Sequence, residues 1–185
     1  MQLEISVNNW EKFVEAVRND DLATVQQLRS QFPDPRLGFA LLQACQSNSL
    51  KVVTELLNNP SEDIVVYAPD ALERAAQRGD VEVLKLILPH TDPKLNDSNA
   101  LLWAVAKNHH ACVDVLFEVS DVDVVLAIVN ERRGDLSTEG VFYRRVDLSA
   151  EGIFYFEQRM MARNQHATLT QEVAQCGNAR GLRKI

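Results

Sequence analysis

The chain has 185 residues, of which 46% are hydrophobic and 24% charged, values that are ordinary for a globular protein and argue against bulk disorder. The formal net charge is −7; residues 134–185 hold 6 acidic and 7 basic side chains, so the acidic excess lies in residues 1–133. An acidic body disfavours general affinity for nucleic acid or for an anionic membrane, and we expect neither as a partner.

Four segments share a pattern in which a large apolar residue precedes an alanine by three positions. The pairs are Phe13 and Ala16, Leu41 and Ala44, Leu72 and Ala75, and Leu101 and Ala104. A spacing of three places both side chains on one face of a helix. Because alanine is small, this face is predicted to let neighbouring helices approach closely.

A turn signal follows each alanine at a fixed distance. Four positions later come Asp20, Asn48, Gly79 and Asn108, which are residue types that tolerate a left-handed backbone and end helices. The next residue is Asp21, Ser49, Asp80 or His109, and the first three of these are typical N-cap residues. Each unit is therefore predicted to be a helix, a left-handed turn and a second helix.

The second helices are predicted from amphipathic runs that follow the turns. They are Thr24–Leu28, Val52–Leu57, Val83–Leu88 and Cys112–Phe117. The segment from Ala75 to Leu88 resembles the core of an ankyrin repeat, and the resemblance extends over residues 10–130. It implies an all-α, ankyrin-like solenoid of stacked helix-turn-helix repeats that works as a protein–protein interaction module.

The resemblance has departures that concern the connections. The turning points at 20, 48, 79 and 108 are separated by 28, 31 and 29 residues, against about 33 in the family. The β-hairpins that join ankyrin repeats are therefore expected to be short or absent. Asp70 and Asn99 stand where the family's repeat opens, and both are predicted to cap a helix.

The six prolines divide the chain into units. All of them lie in the segments 31–36, 58–69 and 89–98, and proline is disfavoured inside helices, so these segments are predicted to be joints. The predicted units are 10–33, 37–60, 69–90 and 98–120, with a partial unit at 121–133. Residues 134–185 are predicted to form a C-terminal capping extension.

The last third begins with a predicted helix over 121–132, with Val124, Val125, Ile128 and Val129 facing inward. It is interpreted as a degenerate fifth unit or a cap. A short final helix is predicted over 167–175.

An eight-residue duplication lies between these helices. Residues 136–143 read Leu-Ser-Thr-Glu-Gly-Val-Phe-Tyr, and residues 148–155 read Leu-Ser-Ala-Glu-Gly-Ile-Phe-Tyr. Two structures compete: a β-hairpin, or a loop over the first copy and a helix over the second that Ser149 caps and that runs through Met161. We favour the loop and helix. Capping is the expected role, and an aromatic surface for self-assembly is the alternative.

The sequence shows no pattern typical of catalysis, of cofactor binding or of metal binding. The adjacent His109 and His110 point in different directions on a helix, and no zinc-type spacing of cysteine and histidine occurs. We expect no enzyme activity and no cofactor. Cys45, Cys112 and Cys176 are odd in number and far apart, which indicates reduced thiols. With no signal peptide at the start and no apolar run of about 18 residues, a cytoplasmic location is expected.

The candidate binding residues lie near the ends of the first helices. The resemblance implies that these helices line a concave face where partners bind, with Gln43, Gln46, Arg74, Gln77, Arg78, Trp103 and Lys107 facing outward. Three cations beside an aromatic ring favour an acidic or phosphorylated segment of a partner protein. The alternative is structural: Trp103 packs under the 121–132 helix, and Arg74 and Arg78 pair with nearby acids such as Asp70 or Glu73. Proteins that bacteria deliver into host cells often resemble ankyrin repeats, so the resemblance also implies a bacterial effector that acts on host proteins as one form of this interaction module.

Overall fold

A computed structural model describes the backbone of residues 2–32, 34–58, 62–134 and 148–181. These ranges contain ten α-helices and no β-strand, which confirms the predicted all-α class. The helices are α1 (Gln2–Arg18), α2 (Leu22–Arg29), α3 (Asp34–Ser47), α4 (Leu50–Asn58), α5 (Glu62–Arg78), α6 (Val81–Ile87), α7 (Leu95–Ala106), α8 (His110–Phe117), α9 (Val122–Gly134) and α10 (Ala150–Gly181). A 3₁₀ turn at Leu88–His90 follows α6.

The helices form two layers of a solenoid. Helices α1, α3, α5, α7 and α9 pack side by side in one layer, and α2, α4, α6 and α8 form the other. Within each unit the first helix contacts the second, as in α1 with α2 and α7 with α8. This is the stacked helix-turn-helix arrangement that the repeat predicts, in which each unit is stabilised by its neighbours.

The four predicted left-handed residues all have positive φ. The values are 55° at Asp20, 56° at Asn48, 79° at Gly79 and 61° at Asn108. The amide that follows each of them donates to the carbonyl of the alanine five residues earlier, over 2.9 to 3.0 Å. This hydrogen bond satisfies a carbonyl that would otherwise lack a partner at the end of the helix.

The same alanines are buried between neighbouring first helices. Ala44, Ala75 and Ala104 have no exposed surface, and Ala16 is 6% exposed. The apolar residues three positions earlier, Phe13, Leu41, Leu72 and Leu101, are also buried. A helix end therefore meets two requirements at one residue, since the alanine side chain packs in the core while its carbonyl closes the turn.

The residues after the turns do less helix capping than the sequence predicts. The Asp21 carboxylate accepts a hydrogen bond from the Thr24 amide over 3.2 Å, as predicted. Asp80 makes no such bond because its carboxylate is held by Arg78, at 2.7 Å. The Ser49 hydroxyl donates to the Arg18 carbonyl over 3.3 Å, which links the second unit to the first.

Helix α5 corrects the prediction that every proline marks a joint. It starts at Glu62, and Pro69 lies inside it. Asp70 is therefore an interior residue of α5 and does not cap a helix. The helix tolerates Pro69, which removes one backbone hydrogen bond, because Ile64, Ala68 and Leu72 are buried and hold both sides of the proline in the core.

The fourth unit begins with an unusual turn. Asn96, Asp97 and Ser98 have φ between 53° and 58°, so three consecutive residues are left-handed at the start of α7. The Asp121 amide donates to the Ser98 hydroxyl oxygen over 2.8 Å. Asn99, the predicted cap, follows this turn directly, where the right-handed part of α7 begins, and it is buried.

The last two helices, α9 and α10, agree only in part with the helices predicted for the end of the chain. In α9, Val122, Val125 and Val129 are buried and Ile128 is partly buried, but Val124 is 37% exposed, so its predicted inward position is wrong. The second copy of the duplication is helical as predicted, with the Gly152 amide donating to the Ser149 hydroxyl over 3.3 Å. The segment predicted as a separate helix, 167–175, belongs to α10. The first copy, 136–143, lies outside the described residues.

We predict that Gly79→Ala lowers the free energy of unfolding by at least about 1 kcal/mol, since a non-glycine residue is strained at φ 79°. An added Cβ would also lie 2.6 Å from Nδ1 of His109. Urea unfolding followed by circular dichroism measures the change. The matched control is Asn48→Gly at an equivalent turn, which should stay within about 0.5 kcal/mol of the wild type. An unchanged value for Gly79→Ala would show that the turn does not require glycine.

Candidate functional site

The ends of α1, α3 and α5 line a groove with a volume of about 520 Å³. Its lining residues are Arg18, Gln43, Gln46, Ser47, Arg74, Gln77 and Arg78. Five of the seven predicted binding residues are therefore brought together, while Trp103 and Lys107 lie outside the groove.

The repeat places these side chains next to each other. Arg18, Gln46 and Gln77 each lie two residues before the left-handed residue of their unit, and Ser47 and Arg78 each lie one residue before it. Because first helices of successive units pack side by side, equivalent positions form rows across the face. Arg18 was missed as a site residue, although extending the row to the first unit identifies it.

A chain of hydrogen bonds positions the first arginine. Nε and Nη2 of Arg18 donate to Oε1 of Gln43, over 3.2 and 3.1 Å. Nε2 of Gln43 donates in turn to Oε1 of Gln46, over 3.2 Å. Since the partner of Arg18 is a neutral amide, the guanidinium is oriented but its charge is not neutralised.

The two arginines of α5 differ in their partners. Arg78 forms an ion pair with Asp80 over 2.7 Å. Among the described residues, no carboxylate lies within ion-pair distance of Arg74. The predicted alternative, in which nearby acids pair with these arginines, therefore holds for Arg78, with Asp80 as its partner. The lining thus carries three cations and no acidic side chain.

Trp103 and Lys107 extend the face by one unit. They lie five residues and one residue before Asn108, the same positions that Arg74 and Arg78 hold before Gly79. Nζ of Lys107 lies 5.8 Å from the centre of the Trp103 ring, within the range of a cation–π contact. Trp103 is partly buried against the core and Lys107 is exposed.

The cysteines of the core and the two adjacent histidines are buried or make contacts within the stack. Burial raises the pKa of Cys45 to about 12 and that of Cys112 to about 11, so both thiols stay protonated in the core. Nε2 of His109 lies 3.1 Å from the Gln77 carbonyl oxygen, and the His110 ring stacks on Tyr155. Within the described part of the chain, no three His, Cys, Asp or Glu residues are close enough together to hold a metal ion. None of the helices described there is both long and apolar enough to span a bilayer.

The two helical layers and the left-handed turns define a helical repeat protein. Residues 41–128 match the family model of ankyrin repeats, in three copies. These residues therefore form ankyrin repeats, which generally mediate protein–protein interaction rather than catalysis. Searches of the curated proteins and of the solved structures found no match.

We predict that Cys45 and Cys112 react with iodoacetamide at pH 8 at least about a hundredfold more slowly in the folded chain than in urea. The reason is that labelling requires both local opening and loss of the thiol proton. A Cys176→Ser variant removes the third thiol, and mass spectrometry after proteolysis measures each site. Equal rates in the folded and unfolded chain would contradict the buried placement.

Proposed function

We propose that this chain binds an acidic or phosphorylated segment of a partner protein in the groove at the ends of α1, α3 and α5. One observation carries the proposal: Arg18, Arg74 and Arg78 line a groove without an acidic side chain, in a molecule whose net charge is −7. Concentrated positive charge within an acidic body selects a ligand of local negative charge.

The chemistry of the lining fits such a segment. A guanidinium group donates two parallel hydrogen bonds to a carboxylate or a phosphate. Arg18 is already oriented by Gln43, which reduces the ordering cost of binding. The glutamine amides donate and accept hydrogen bonds, and they can therefore pair with the backbone of an extended segment.

The face beyond the groove suits a neighbouring apolar or aromatic group of the same partner. Trp103 and Lys107 continue the rows of Arg74 and Arg78 into the fourth unit. Tryptophan and arginine are the side chains most often found as binding hot spots. We therefore assign Trp103 an anchoring role at one end of the bound segment.

Self-assembly through the C-terminal aromatics is less well supported. Tyr155 and Phe156 contact His110 and Phe117 of the same chain, which leaves Phe154, at 62% exposed, as the free aromatic of the second copy. For location, the free and buried thiols of Cys45 and Cys112 favour a reducing compartment such as the cytoplasm.

The test is a peptide array with matched sets of sequences that carry phosphoserine, glutamate or alanine at one position, followed by fluorescence polarisation on the peptides that bind. We predict that Arg74→Glu with Arg78→Glu weakens binding at least about tenfold, because each lost charge-assisted hydrogen bond contributes roughly 1.5 to 3 kcal/mol. Trp103→Ala should weaken the binding of the same peptides.

The matched control is Lys85→Glu with Arg163→Glu, an equal charge change at two exposed positions of α6 and α10, away from the groove. Circular dichroism checks that every variant stays folded. Equal loss in the control would indicate a general effect of net charge, and binding that is unchanged in the double variant would exclude the groove.

A further inference from the structure

The second copy of the duplicated motif is held on the fourth unit by contacts from residues 149–152. The Ser149 amide donates to the Ala106 carbonyl over 3.0 Å. Nδ2 of Asn108 donates to Oε2 of Glu151 over 2.8 Å. Gly152 packs so closely that a Cβ there would overlap the Val105 carbonyl oxygen. A serine, a glutamate and a glycine in this order are therefore matched to the end of α7.

Residues 153–155 complete the contact. Ile153 is buried, at 6% exposed. The Tyr155 ring stacks on His110 with 3.9 Å between ring centres, and its hydroxyl donates to the Asp114 carboxylate over 2.8 Å. The surface formed by the end of α7 and the start of α8 thus contacts five residues of the motif.

The first copy keeps the residues that make these contacts. It has Ser137, Glu139, Gly140 and Tyr143 at the equivalent positions, and Val141 in place of Ile153. Its other substitution, Thr138 for Ala150, falls at a position that is exposed in the second copy. The residues needed for docking therefore occur twice in the chain.

The first copy, and not the second, lies at the regular repeat distance from the fourth unit. Residues after the left-handed turns, at 21, 49, 80 and 109, are separated by 28, 31 and 29 residues. Ser137 follows His109 by 28 residues, whereas Ser149 follows it by 40. A fifth unit built with the first copy has the regular length, and one built with the second copy carries twelve additional residues.

Ser149 contacts the fourth unit where the residue after a turn contacts the preceding unit elsewhere in the stack. Ser49 bonds the carbonyl of Arg18, and His109 lies against the carbonyl of Gln77; both carbonyls come two residues before the turn residue of the preceding unit. Ser149 reaches the equivalent carbonyl, that of Ala106 two residues before Asn108, through its backbone amide and not through its side chain. The start of helix α10 therefore meets the preceding unit as the start of a second helix does.

We propose that the surface at the end of α7 and the start of α8 is a docking site for this motif, and that it accepts residues 136–143 in place of residues 148–155. The exchange completes a fifth repeat of regular length and moves the docked position by twelve residues along the chain. The second copy occupies the site in the structure described here.

The residues that follow each copy explain why the second copy, and not the first, occupies the site. Phe156 is fully buried against Phe117, and the first copy has Arg144 at that position, which would bury a charge. Arg159 forms an ion pair with the Asp114 carboxylate, at 3.2 Å, and the first copy has Asp147 at that position, which would repel Asp114. The two copies thus compete for one site with unequal affinity.

Hydrogen exchange read by mass spectrometry on the full chain tests this. Gly152→Ala blocks the second copy; amides of 149–156 should lose at least about tenfold in protection while amides of 137–144 gain as much. Gly140→Ala is the matched control and should leave the wild-type pattern. The double variant should lose protection in both segments. If the amides of 149–156 lose protection and those of 137–144 gain none, the proposal is overturned. The same holds if the double variant shows the same protection pattern as Gly152→Ala.

A second variant works without damaging the docked copy. Arg144→Phe with Asp147→Arg gives the first copy the favourable residues, and protection should move from 149–156 to 137–144. Light scattering at two concentrations separates docking within a chain from exchange between chains. The proposal is refuted if the amides of 137–144 gain protection only in samples with a dimeric mass. It is also refuted if their protection stays at the wild-type level in every variant.

Discussion

Each unit of the stack depends on one residue held at positive φ between its two helices. The turn at Asp20, Asn48, Gly79 or Asn108 closes on the carbonyl of a buried alanine, so chain reversal and helix packing are fixed at the same place. Because the turn has the same geometry in four units, the last turn of each first helix points in the same direction. The rows of side chains at the ends of the first helices follow from that repetition.

The repetition also builds the groove, because it brings side chains from several units together. Arginine and glutamine at equivalent positions of three units come together although they are about thirty residues apart in the chain. Only some of the positive charge is compensated: Asp80 pairs with Arg78, while Arg18 is held by a neutral amide. A partner with negative charge would therefore replace solvent at Arg18 and Arg74 without first breaking an ion pair among the described residues.

Much of the fold could be predicted from the sequence because the turn residues carry a local signal. Few residue types adopt positive φ, and their recurrence beside a buried alanine set the positions of the repeats and five of the groove residues. The failures had other causes. Pro69 is tolerated inside α5 because tertiary packing outweighs its local cost, and Asp80 prefers Arg78 to its own helix end. The docking of α10 depended on Gly152 and on contacts between distant units, which no local pattern reveals.

Helix α10 has a second consequence. Its first three turns bury Ile153, Phe156 and Met160, but every residue from 161 to 171 is exposed. An isolated helix in water is limited by the unfavourable free energy of forming its first turn. In this chain the docked turns supply that nucleus, and the exposed part then adds one hydrogen bond for each residue that it orders. The helical content of the exposed segment is thereby coupled to the docking of residues that lie several turns away from it.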